Sequence, residues 1–217
     1  MQALNVFLRR TPEWAVWVAG VVPLALLAHD TLNNGLSIDP VREIEHRLGR
    51  TALYFLIGTL AITPLRKLTR INATHLRRAL GLLAFSYAAL HLSAWVAFDM
   101  GLLWGQMLRD VIKRPYLLFG MVSFLILLVL AVTSNRFSIR KLGKNWRKIH
   151  RLVYPATILS GLHWLWALKL WTFWPLFCGA VILLLLFLRF PFLRPQRIVI
   201  GGKDHPELRP AASRTGP

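Results

Sequence analysis

Six long apolar runs dominate this chain and leave it few folds to choose from. They lie near Trp14 to Leu32, Leu48 to Leu65, Leu76 to Phe98, Tyr116 to Ser134, Ile149 to Leu168 and Trp171 to Phe190. Each approaches the roughly 20 residues that an α-helix needs to cross a hydrocarbon core roughly 30 Å thick. None shows the alternating polar and apolar pattern of a membrane β-barrel strand. The sequence therefore predicts an all-α, integral-membrane bundle of about six transmembrane helices. Pro23, Pro64, Pro155 and Pro175 fall within the runs and predict local kinks, because an interior proline removes one helical hydrogen bond.

Composition agrees with a membrane as solvent: hydrophobic residues make up 55% and charged residues 17%, with a mean hydropathy of +0.49. The first run follows Arg9 and Arg10 and superficially resembles a signal peptide. It ends in His29 and Asp30 without a small-residue cleavage site, so it is expected to remain as a span. Residues 1–190 then form one six-span domain, and residues 191–217 a short basic tail. No soluble catalytic domain is expected beside them.

The formal net charge of +18 suits nucleic acid only if a soluble module displays it, and none stands between the apolar runs. Topology explains the charge better. With the N-terminus inside, 20 of the 27 Lys and Arg residues fall in inside segments and 7 outside. Basic residues favour the cytoplasmic side, so a bacterial inner membrane with both termini cytoplasmic is expected. The excess charge then meets the anionic headgroups of that leaflet, and no nucleic acid is needed as a partner. The lone cysteine, Cys178, excludes a disulfide framework and Cys-based metal motifs. No GxGxxG or GxxxxGK[ST] loop is present, so electrons from a nucleotide would have to arrive through another protein or a quinol.

Ionisable groups inside spans are costly, which makes each a functional candidate. His91 sits deep in the third run, His163 in the fifth, and His150 at the cytoplasmic entrance of the fifth. One buried histidine is as readily explained by a hydrogen bond to a neighbouring helix. Two on different spans can instead offer imidazole lone pairs to one haem iron, with Gly81 and Gly161 expected to make room. His29, His46, His75 and His205 read as ordinary polar residues of loops or tail.

Thirteen residues separate His150 from His163, about 20 Å along one helix, which predicts two sites stacked across the membrane. An ideal helix would set the two about 140° apart, and Pro155 is expected to supply the missing twist. Fourteen residues before His91 stands Arg77, not a histidine. Guanidinium has no free lone pair, so Arg77 is a better partner for a cofactor carboxylate than an iron ligand. Most of the nine tryptophans fall near run ends and read as an interfacial belt, with Trp164 beside His163 able to line a haem.

The stretches Ile62 to Arg66 (ITPLR), Arg77 to Leu82 (RRALGL) through Leu90-His91-Leu92, and Trp146 to Pro155 (WRKIHRLVYP) through Leu162-His163 resemble the MsrQ (YedZ) family. That family belongs to the ferric reductase-like transmembrane superfamily. The resemblance covers essentially the whole chain. It implies a b-type haem subunit, with one or two haems, that takes electrons from the quinone pool or a cytosolic flavin reductase. Delivery would be to MsrP, a periplasmic molybdopterin enzyme that reduces methionine sulfoxide in oxidised proteins. It further implies that His91 and His163 ligate the outer haem and His150 the inner one, and that FMN associates at no residue assignable here. The wider superfamily carries a histidine where Arg77 stands, so the second ligand of an inner haem is left open. The competing readings are a cytochrome b or ferric reductase subunit serving another redox partner, and a small transporter without haem.

Overall fold

The computed structural model describes residues 10–168 and 172–189, and within them the chain is helical without a β-strand. The first helix, α1 (Glu13–Leu32), is followed by α2 (Pro40–Thr69). A 3-10 turn (Thr74–Leu76) leads into α3 (Arg77–Ala94), which continues through a π turn (Trp95–Asp99). Then come α4 (Trp104–Lys113), α5 (Pro115–Val132), α6 (Arg136–Leu142), α7 (Lys144–His150), α8 (Val153–Ala167) and α9 (Phe173–Phe187).

Among the described residues, four stretches are long and apolar enough to cross a membrane: Glu13–Leu32, Pro40–Thr69, Thr74–Asp99 and Pro115–Val132. The other two apolar runs become α8 and α9, of 15 residues each. At 1.5 Å per residue, each is about 22 Å long. The tail over residues 191–217, and Trp171 of the sixth run, lie outside the described residues.

The second helix starts earlier than its apolar run. Asp39 accepts a hydrogen bond from the Arg42 amide at 3.1 Å, and Pro40 occupies the first helical turn, where a missing N–H costs nothing. Seeded there, α2 reaches 30 residues and ends on Arg70 in a left-handed conformation (φ 60°). Glu43, Glu45 and His46, expected in a loop, therefore lie on helix.

The proline in the fifth run acts differently from expectation. His150 and His163 are not on one helix: α7 ends at His150 and α8 begins at Val153, with a turn at Arg151 and Leu152. Pro155 sits in the first turn of α8, and the Arg151 carbonyl instead accepts from the Tyr154 amide at 3.1 Å. Between the two histidines, Arg151 and Leu152 stay in the right-handed helical region but are joined by tighter i→i+3 hydrogen bonds.

The helices α2 and α3 form one close pair and α5 and α8 another, with α3 also packed on α5. Leu56, Ala84, Leu127 and Ala156 join the two pairs in a shared core. The buried Ser123 hydroxyl donates to the Ala156 carbonyl at 2.8 Å and lies 2.7 Å from the Ser160 hydroxyl, tying α5 to α8. On the outer flank, Tyr87 donates to the Gly20 carbonyl of α1 at 2.6 Å.

Candidate functional site

Up-and-down connectivity brings together the start of α2, the end of α3, the start of α5 and the end of α8. A cavity of about 360 Å³ opens between them, lined by His91 and His163. That volume falls within the range of about 300–1,000 Å³ usual for bound small molecules. Its walls are apolar, including Leu53, Leu56, Phe124 and Leu127, and its mouth carries Arg42, His46 and Arg50.

The two imidazoles stand side by side in the cavity with ring centroids 6.2 Å apart and planes at 68°. Each is held by its other nitrogen. The Nδ1 of His91 bonds the Glu45 carbonyl at 2.9 Å, and the Nδ1 of His163 bonds the Tyr116 carbonyl at 2.7 Å. A carbonyl only accepts, so both Nδ1 atoms carry the proton and both Nε2 atoms keep a lone pair. This arrangement is the one metal-ligating histidines commonly adopt, because the backbone bond fixes both tautomer and ring orientation.

Two imidazoles on opposite sides of one metal atom stand with centroids about 6 Å apart, from metal–nitrogen bonds of about 2 Å and about 1 Å from nitrogen to ring centre. The spacing in the structure fits. Among the described residues no group of three or more His, Cys, Asp or Glu converges on a metal site. A two-donor set suits an iron whose remaining bonds are supplied by a macrocycle better than a bare ion, which commonly takes four protein or water ligands.

Two glycines seat the rings. A Cβ on Gly49 would come within 3.2 Å of the His91 Nδ1, and a Cβ on Gly120 within 2.8 Å of the His163 Nδ1. Gly81 and Gly161, expected to make room, do not line this cavity. A Cβ on Gly81 would meet nothing within 4 Å, and one on Gly161 would meet Ile182 of α9 at 3.2 Å.

Sequence reasoning also missed Glu45 and His46, because both were placed in a loop. His46 lines the cavity, and Glu45 lends its carbonyl to His91 while its own Oε1 is buried without a hydrogen-bond partner. Trp95, expected in the interfacial belt, is buried and lines the cavity, as does Trp164. Trp14, Trp104 and Trp166 are exposed, as a belt requires.

His150 stands apart. Its ring stacks on Trp146 at 3.9 Å between centroids, its Nδ1 lies 3.2 Å from the Trp146 carbonyl, and its Nε2 lies 3.3 Å from the Ser134 hydroxyl. It does not line the His91–His163 cavity. Arg77 donates to the Thr63 hydroxyl at 2.6 Å, a contact that also involves Arg189.

Residues 48–161 match the family described as ferric reductase like transmembrane component. The chain is 40% identical over 210 residues to the protein-methionine-sulfoxide reductase heme-binding subunit MsrQ of Brucella ovis, covering 93% of this chain and 92% of that one. The MsrQ proteins of Brucella canis and Brucella abortus strain S19 show the same identity and coverage. No solved structure matches.

Proposed function

This chain belongs to the MsrQ family of ferric reductase-like transmembrane components, and from that premise we propose that it is a b-type haem subunit carrying electrons across the inner membrane. The observation that carries the reading is the His91–His163 pair, with centroids 6.2 Å apart and each Nδ1 committed to a backbone carbonyl.

When bound, haem supplies a one-electron ferric/ferrous couple. The residues of this chain do the rest. His91 and His163 offer Nε2 to the iron, and Glu45 and Tyr116 hold the two rings at the required orientation through their carbonyls. Leu53, Leu56, Phe124 and Leu127 keep water from the site and, with the two ligands, help set its potential. Arg42 and Arg50 at the cavity mouth are placed to meet the negative carboxylates of the macrocycle.

The His91–His163 site lies at the end of the bundle opposite the basic segments Arg66 to Arg78 and Arg136 to Arg151. With both termini cytoplasmic, this is the periplasmic end. Electrons would leave there for an MsrP-like periplasmic molybdopterin subunit that repairs methionine sulfoxide, in a heterodimer with this chain. They would enter at the basic end from the quinone pool or a cytosolic flavin reductase, with His150 ligating a second, inner haem. FMN remains a further cofactor of this reading with no residue assigned to it.

Reduced-minus-oxidised spectroscopy with haem quantitation on detergent-purified protein tests the reading. b-type bands that fall, with loss of the His91–His163 haem, in His91→Ala and His163→Ala are expected. Folded protein reconstituted with hemin that shows no Soret absorption would overturn it, and a transporter without haem would become the better description.

A further inference from the structure

Opposite the histidine pair, the basic end of the bundle holds an arrangement that electron transfer through His91 and His163 does not use. Arg77, at the start of α3, and Arg189, just past α9, both donate to the hydroxyl of Thr63 on α2, at 2.6 and 3.1 Å. Arg189 also donates to the Leu60 carbonyl at 2.5 Å and to the Tyr154 hydroxyl at 3.1 Å. Its guanidinium stands 5.4 Å from the centre of the Tyr154 ring.

Every one of these acceptors is neutral. None of the ion pairs among the described residues involves either arginine. The only acid described near this end, Glu13, is exposed. The Nε atoms of Arg77 and Arg189 are both buried and have no hydrogen-bond partner. Two like charges sharing one hydroxyl, with two unfilled buried donors, form a site short of an anion. The planar guanidinium fork matches tetrahedral phosphate oxygens two at a time.

We infer that Arg77 and Arg189, converging on Thr63, bind the phosphate of an anionic phospholipid at the basic end of the bundle. A lipid fits better than a free ion because α9, which leads to Arg189 from the membrane side, continues the site with the exposed apolar side chains Leu183, Leu184 and Phe187. Acyl chains can lie along these while the headgroup fills the arginine fork, as basic pockets between cytoplasmic helix ends do elsewhere. The inference needs only that the chain lies in a membrane, and stands whether or not haem occupies the histidine site.

Native mass spectrometry on the delipidated full chain, titrated with phosphatidylglycerol or with phosphatidylcholine of the same acyl chains, tests it. Wild type should bind phosphatidylglycerol in preference. Arg77→Gln/Arg189→Gln should bind it about tenfold to hundredfold more weakly, the loss expected for charge-assisted hydrogen bonds. Arg66→Gln/Lys67→Gln, which removes two exposed charges beside the site, should bind as wild type does. Should the double variant fail to fold, Arg189→Lys keeps the charge without the fork and should show a smaller but measurable loss. Equal binding by wild type and a folded arginine variant, or equal binding of the two lipids, overturns the inference. So does inorganic phosphate saturating the site as tightly as the lipid. A fourth result would also overturn it: loss of a haem from the double variant with lipid binding unchanged, which would make the anion a haem carboxylate.

Discussion

Replacing Gly120 with alanine should loosen the cofactor without touching a ligand. The new Cβ would stand 2.8 Å from the His163 Nδ1 and 3.0 Å from its Cε1, well inside contact distance, so the ring has to move by more than half an ångström (~0.6 Å) to reach ordinary packing. That movement strains the 2.7 Å bond from Nδ1 to the Tyr116 carbonyl. Overpacking of this kind costs about 1–3 kcal/mol and a lost hydrogen bond about 0.5–1.5 kcal/mol. Alanine returns at most about 1 kcal/mol in helix propensity. The net of about 1–3 kcal/mol corresponds to haem held about 5- to 150-fold more weakly. Gly49→Ala, whose Cβ would stand 3.2 Å from the His91 Nδ1, asks for a shift of a few tenths of an ångström and should cost less. Gly81→Ala meets nothing within 4 Å and should hold haem as wild type does. Transfer of haem to excess apomyoglobin, followed at the Soret band, ranks the three. Gly120→Ala retaining haem as well as Gly81→Ala would refute the seating role.

Three further predictions test other parts of the structure. Ser123→Ala removes the buried hydroxyl that joins α5 to α8 and should lower stability by about 1 kcal/mol, seen as a lower thermal midpoint in detergent, whereas no shift would mean the bond contributes nothing. Asp39→Ala deletes the cap of α2 and should cost about 1 kcal/mol, with faster amide exchange over Val41 to Glu45; unchanged exchange there would count against the cap. His150→Ala should remove one haem of two while leaving the His91–His163 haem spectrum intact, and a parallel loss of both would show that the two sites are not separate.

The bundle and the histidine pair could be read from the sequence because both depend on one strong signal, the cost of polar groups in hydrocarbon. His91 and His163 stand out against Leu90, Leu92, Leu162 and Trp164 for that reason. The seating glycines could not be found the same way. Glycine is common in membrane helices, and only the packing of α2 on α3 and of α5 on α8 distinguishes Gly49 and Gly120 from Gly81. Glu45 and His46 were hidden by a helix start that depends on the Asp39 cap and Pro40, both lying before the apolar run. The tighter turn at Arg151 and Leu152 was hidden by Pro155, whose position in a first turn resembles, from sequence alone, a position inside a longer helix. The surface helix α4 was missed because its exposed apolar residues Trp104, Leu108 and Ile112 are interleaved with Arg109, Asp110 and Lys113. Arg189 was counted only as a topological charge, since nothing in the sequence tells that it folds back to Thr63.

The central claim, that His91 and His163 ligate one iron between them, is tested most directly by electron paramagnetic resonance of the oxidised, haem-loaded protein. Ring planes at 68° predict a strongly anisotropic low-spin signal, with its largest g value above that of parallel imidazoles. Either His91→Ala or His163→Ala should abolish it, leaving high-spin iron or none. The same strongly anisotropic signal surviving both substitutions would contradict the account.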